Sequence, residues 1–182
     1  MSRALSAALL GLVVLMSGCS SVPEQLAIDE SIELNNYQHL IGQQAAVGEW
    51  YRVAGVIAKI DNLAESTRIE LANLPLKGDA KPNIKAEPEG RIVLYIPTFL
   101  EPVTYSPGRL LTVNAIYRGT EEAQVGDYQL NVPILDVQNV YLWTLTERVV
   151  VDDYPSSFDC LYRYCRPYSS GPRNGRIIQD VK

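Results

Sequence analysis

The chain has 182 residues, 47% of them hydrophobic, with 16 Lys and Arg against 21 Asp and Glu and a formal net charge of −5. That length is enough for one domain with a substantial core. The acidic balance argues against a nucleic-acid partner, whose affinity rests on neutralising phosphates.

The N-terminal stretch opens with one basic residue, Arg3, followed by the uncharged run Ala4 to Met16. As a helix that run would span roughly 20 Å, short of the roughly 30 Å hydrocarbon core of a bilayer. A charged start, a short apolar run and small residues before a cut site make a secretory signal. Ser17-Gly18-Cys19 resembles a bacterial lipobox, with Met16 where leucine is usual. Residues 1–18 are therefore expected to be a signal peptide, and Cys19 the lipidated first residue of the mature chain. Each buried methylene contributes about 0.8 kcal/mol, so several acyl chains anchor where one would not. Ser20 follows the cysteine in place of Asp, which points to the outer membrane.

Residues 19–45 read as a lipidated tether with a short helix ending near Gly42. His39, the single histidine, falls here without a His or Cys neighbour and reads as a surface or packing residue, not a metal ligand. Strands follow. Val47 to Ile60 is a long first strand, where Gly55 is expected to mark a bulge. Thr67 to Asn73 alternates, with Ile69 and Leu71 on one face. Arg91 to Ile96 is apolar on both faces and reads as central. Leu110 to Gly119 places Leu111, Val113, Ala115 and Tyr117 inward and Thr112, Asn114 and Arg118 outward. Glu121 to Asp127 reads as an acidic turn, and Tyr128 to Leu145 as a bent strand or two short ones. Five or six strands with little helix predict a mainly β fold: a small closed OB-like barrel over residues 46–148, with an irregular tail over 149–182.

Charge divides along the chain. Cys19 to Asp153 carries 10 Lys and Arg against 19 Asp and Glu, and Tyr154 to Lys182 carries 5 against 2. In the tail, Cys160 and Cys165 are expected to form a disulfide in an oxidising compartment. Between and beside them, Tyr162, Arg163, Tyr164 and Arg166 have the composition of an interface. The partner expected there is an envelope protein, a glycan or a lipid headgroup.

Chemistry is harder to find. One histidine makes a poor base for a serine hydrolase, zinc spacing is absent, and no phosphate-binding glycine loop occurs. The carboxylate pairs Glu121-Glu122 and Asp152-Asp153 are the remaining candidates for acid–base work; solvated turns are the expected reading. No catalytic residue, metal or cofactor is assigned. A carrier of a small apolar ligand and, further back, a hydrolase stand as the alternatives to a structural or interaction role.

Several short segments together carry a family likeness: Cys19-Ser20-Ser21-Val22-Pro23, Gly42-Gln43, Arg52 and Gly55, Thr67 to Leu76, Ala80-Lys81-Pro82, Gly90-Arg91, Phe99-Leu100-Glu101-Pro102, Tyr105, Thr112-Val113 and Trp143. In this order and spacing the chain resembles the Slp family of starvation-inducible outer-membrane lipoproteins. The resemblance implies a periplasm-facing lipoprotein linked to starvation or envelope stress, and no chemistry. It weakens after Trp143, so nothing placed on the tail leans on it.

Overall fold

A computed structural model describes residues 22–28, 33–34, 37–42, 45–151 and 175–182. It divides into two compact units between Trp143 and Thr144. Among the described residues, no helix is long and apolar enough to cross a membrane.

Among the described residues of the first unit, regular structure is mainly strand. After a 3-10 turn at Glu24–Leu26 come β1 (Glu33–Leu34), helix α1 (Tyr37–Ile41), β2 (Trp50–Asn62), β3 (Thr67–Leu74), β4 (Gly90–Ile96), β5 (Leu110–Val125) and β6 (Tyr128–Trp143). β2 pairs antiparallel with β3, β3 with β4, and β5 with β6; β4 pairs parallel with β6. β2 also pairs with β5, so the hydrogen-bonding circuit β2–β3–β4–β6–β5 returns to β2. Short β1 pairs parallel with β2.

Period-two alternation builds the core. Tyr51, Val53 and Ile57 of β2 meet Ile69 and Leu71 of β3 and Ile92, Leu94 and Ile96 of β4. Leu111, Val113, Ala115 and Tyr117 of β5 and Leu135 and Val137 of β6 complete the cluster, with Leu40 of α1 packed into it. Each such fully buried aliphatic side chain contributes about 1.5–3 kcal/mol. The inward set expected on β5 is the observed one.

Four sequence expectations need correction. Gly55 is not a bulge: it pairs regularly with Asn73 and Leu111, and the register shift falls between Ile57 and Lys59. Thr112 and Asn114 point away from the core, yet both are fully buried. The Thr112 hydroxyl donates to the Ala80 carbonyl (2.7 Å) and accepts from the Trp143 indole N–H (2.8 Å). The Asn114 amide donates to the Leu26 carbonyl at 2.9 Å. Segments distant in sequence cover this face, which alternation cannot report. Glu121 and Glu122 are not in a turn, because β5 continues to Val125 and the reversal is confined to Gly126 and Asp127.

The fourth correction concerns the tail. In the second unit, β7 (Leu145–Val151) pairs antiparallel with β8 (Gly175–Val181), so the region expected to be irregular contains a paired ribbon. Arg148 is ion-paired with Asp180 across it, and Gln179 donates to Glu147 at 2.6 Å.

Candidate functional site

The outward face of β4 carries Arg91, Val93 and Tyr95 in alternation. Its parallel pairing sets Val93 against Ile134 and Tyr95 against Asp136 of β6. Val93 is buried with Ala123, Val132 and Ile134, which come from the outer half of the β5–β6 hairpin. The central reading of β4 is thereby explained: each face is covered, one by the core and one by that hairpin.

Charged side chains fill the ground beside this small cluster. Glu70 is 7% exposed and accepts from Arg68 at 2.8 Å and from Arg91 at 2.5 Å. Burial alone would raise its pKa; the two guanidiniums outweigh burial and hold the carboxyl below its ordinary value. Arg68 also donates to Glu121 at 2.7 Å, and Glu121 accepts from the Tyr95 hydroxyl at 2.8 Å. Burial, then that carboxylate, push the Tyr95 pKa up. This network is satisfied on both sides and reads as structural.

Where the hairpin cover ends, the same face opens into a cleft of about 420 Å³. Glu65 and Ser66 from the β2–β3 loop, Tyr95, Arg118, Asp136 and Gln138 form its polar wall. The Arg118 guanidinium lies over the Tyr95 ring, 4.6 Å from its centroid, and pairs with Asp136 at 3.1 Å. The two side chains of that pair are 47% and 42% exposed, so ligand access needs no rearrangement. A second cleft, of about 500 Å³, lies beside Val22, Ala27, Ile28 and Arg52. Arg52 there donates to the Leu26 carbonyl at 2.6 Å and to Asn114 at 2.8 Å; burial lowers its pKa.

His39, expected to be a surface or packing residue, contacts the Tyr51 hydroxyl through Nδ1 at 2.6 Å. That hydroxyl donates to Glu49 at 2.9 Å. The backbone N–H of Ala46, then Tyr51, hold the Glu49 pKa below its usual value. Glu121 and Glu122 are adjacent on one strand, where successive side chains leave opposite faces, so they do not converge on one bond. No group of three His, Cys, Asp or Glu that could hold a metal occurs among the described residues.

The lipidation residue Cys19, the cysteines Cys160 and Cys165, and Tyr162, Arg163, Tyr164 and Arg166 all lie outside the described residues, as do Asp152 and Asp153. The sequence reading missed the cleft. Its wall comes from four separate segments between positions 65 and 138. The available signal was Tyr95, a hydroxyl-bearing residue within the otherwise apolar run Ile92 to Ile96.

Comparison with known proteins gives a consistent picture. A family model described as the outer membrane lipoprotein Slp family matches residues 16–171. The "Outer membrane protein Slp" of Escherichia coli K12 is 26% identical over 151 residues, covering 82% of this chain and 80% of the relative. The "Uncharacterized lipoprotein YeaY" of the same organism is 28% identical over 143 residues, covering 78% and 74% respectively. A Haemophilus influenzae protein is also 28% identical over 143 residues.

Proposed function

The chain belongs to the outer membrane lipoprotein Slp family, and from that premise we propose that it is held in the outer membrane through acylated Cys19, faces the periplasm, and serves a structural or interaction role in envelope stress or starvation. The observation that carries this reading is the extent of the family match. It begins at residue 16, three positions before Cys19, and so includes the lipobox-like segment along with the β unit.

A non-enzymatic role is supported by what the β unit does with its interior. The circuit of pairings, with its parallel β4–β6 step, supports a closed five-stranded OB-like barrel. The interior of that arrangement is occupied by packed Leu, Ile, Val and Tyr side chains. A carrier of an apolar ligand would need that space empty and apolar. His39 contacts the Tyr51 hydroxyl, a phenol rather than a serine, at 2.6 Å, which lends the hydrolase alternative no support.

Intact mass of the purified protein and membrane fractionation test the anchor. Wild type is expected in the outer-membrane fraction with acyl mass on Cys19; Cys19→Ala is expected to keep its signal peptide or be misprocessed. Protease added to intact cells should leave the β unit uncut, and permeabilised cells should lose that protection. Soluble wild type without acyl mass sinks the reading.

The tail proposals share this compartment. In it, Cys160 and Cys165 form a disulfide worth roughly 2 kcal/mol of chain entropy, holding Tyr162, Arg163, Tyr164 and Arg166 for a partner. Free thiols on both cysteines in protein taken from the periplasm would remove that proposal.

A further inference from the structure

We propose that the cleft on the outer face of β4 and β6 is a binding site for an uncharged, hydroxyl-rich saccharide chain. This rests on the periplasm-facing reading for the biological source of the saccharide, and on the cleft itself for the chemistry.

The wall contains two carboxylates (Glu65 and Asp136), a carboxamide (Gln138), a guanidinium (Arg118) and two hydroxyls (Ser66 and Tyr95). A saccharide hydroxyl both donates and accepts, and this set offers partners for both roles. Arg118 is held from two directions, by the Tyr95 ring at 4.6 Å and by Asp136 through Nη1 at 3.1 Å. Its planar fork is thus oriented before a ligand arrives, which lowers the ordering cost of binding. The volume, about 420 Å³, lies in the range of small-ligand sites.

Charge selects among ligand classes. Two carboxylates face one guanidinium, so a phosphodiester chain or a phosphate headgroup meets a wall of its own sign. An apolar chain would desolvate Glu65 and Gln138 without giving them partners. Five-stranded barrels of the OB type bind oligosaccharides or oligonucleotides across strands two and three and the adjoining loop. On the OB-like reading those are β3, β4 and residues 63–66; β4 and the loop supply Tyr95, Glu65 and Ser66 to the cleft wall while β3 supplies none, and the charge balance favours the saccharide.

The test is a titration of the purified full-length acylated chain in detergent, followed by ¹⁵N-resolved NMR. Chitotetraose and maltotetraose are the probes; a thymidine tetranucleotide and tetralysine are the competitors. Saturable shifts are expected with at least one saccharide, clustered at Glu65, Ser66, Tyr95, Arg118 and Gln138. Arg118→Ala should weaken that binding about tenfold, the loss expected for a hydrogen bond to a charged group. Gln138→Ala, at an exposed position, should weaken it measurably with an unchanged melting curve. Absence of clustered shifts with both saccharides, unchanged affinity in both variants, or tighter binding of either competitor overturns the assignment. Binding by purified protein does not depend on which membrane face it occupies. A negative result therefore removes the cleft assignment and leaves the anchoring proposal to its own fractionation test.

Discussion

Thr112 and Val113 are neighbours on β5, and their burial has two different physical origins. Val113 belongs to the alternating inward set, fully buried in the core cluster. Val113→Asp should unfold the first unit, since an unpaired charge there has no compensation. Thr112 is equally buried because Ala80 and Trp143 hydrogen-bond to its hydroxyl. Thr112→Val should cost about 1–3 kcal/mol in a urea titration by leaving both partners unsatisfied. Thr112→Asp should be far worse, against the tolerance that alternation alone would suggest. Glu70 gives a second test. Its folded pKa lies below its ordinary value, so the folded state holds fewer protons than the unfolded chain as the pH drops through about 4.3. Its contribution is complete above that pH and is lost as the pH falls through the depressed folded value. The urea midpoint should therefore fall between about pH 5 and pH 3. Glu70→Gln should show a smaller fall over that window; Glu49 and Asp79, also held below their usual values, keep part of it.

Pairing within and between elements explains the glycine in the long first strand. A Cβ added to Gly55 would stand 2.1 Å from the Ala72 carbonyl oxygen of β3. Backbone cannot yield there as a flexible side chain would. Gly55→Ala should destabilise the β2–β3 pairing by about 1–3 kcal/mol, read as a lowered denaturation midpoint with the fold retained. A glycine in a strand signals either a bulge or a close approach, and only the facing strand distinguishes them. The β5–β6 hairpin was partly legible for a similar reason. β5 was legible as far as Gly119 and β6 from Tyr128 onward. Beyond Gly119, Glu121 and Glu122 read as turn residues, yet β5 continues there because Leu130 to Val132 of β6 pair with it, and Glu121 finds Arg68 and Tyr95 across the sheet.

For the whole molecule, the division at Trp143 implies that the first unit carries its own stability. Its six-stranded sheet and the two apolar clusters described above lie before Thr144. A chain ending at Thr144 should keep the main thermal transition within a few degrees of full length. Among the described residues the β7–β8 ribbon has two strands, too few for independent stability by themselves; its amides should exchange far faster than those of β2 to β6. A large loss of melting temperature on truncation would refute that division. What the sequence determined by itself were properties carried locally: the mainly β character and the inward set on β3 and β5. These rest on period and composition within a few neighbouring residues. What only the tertiary structure decided were the cover over Thr112 and Asn114, the partners of Glu121, and the cleft formed by Glu65, Tyr95, Arg118, Asp136 and Gln138. Those depend on which distant segments meet, and a parallel β4–β6 step between strands far apart in sequence leaves no trace in either strand's own pattern.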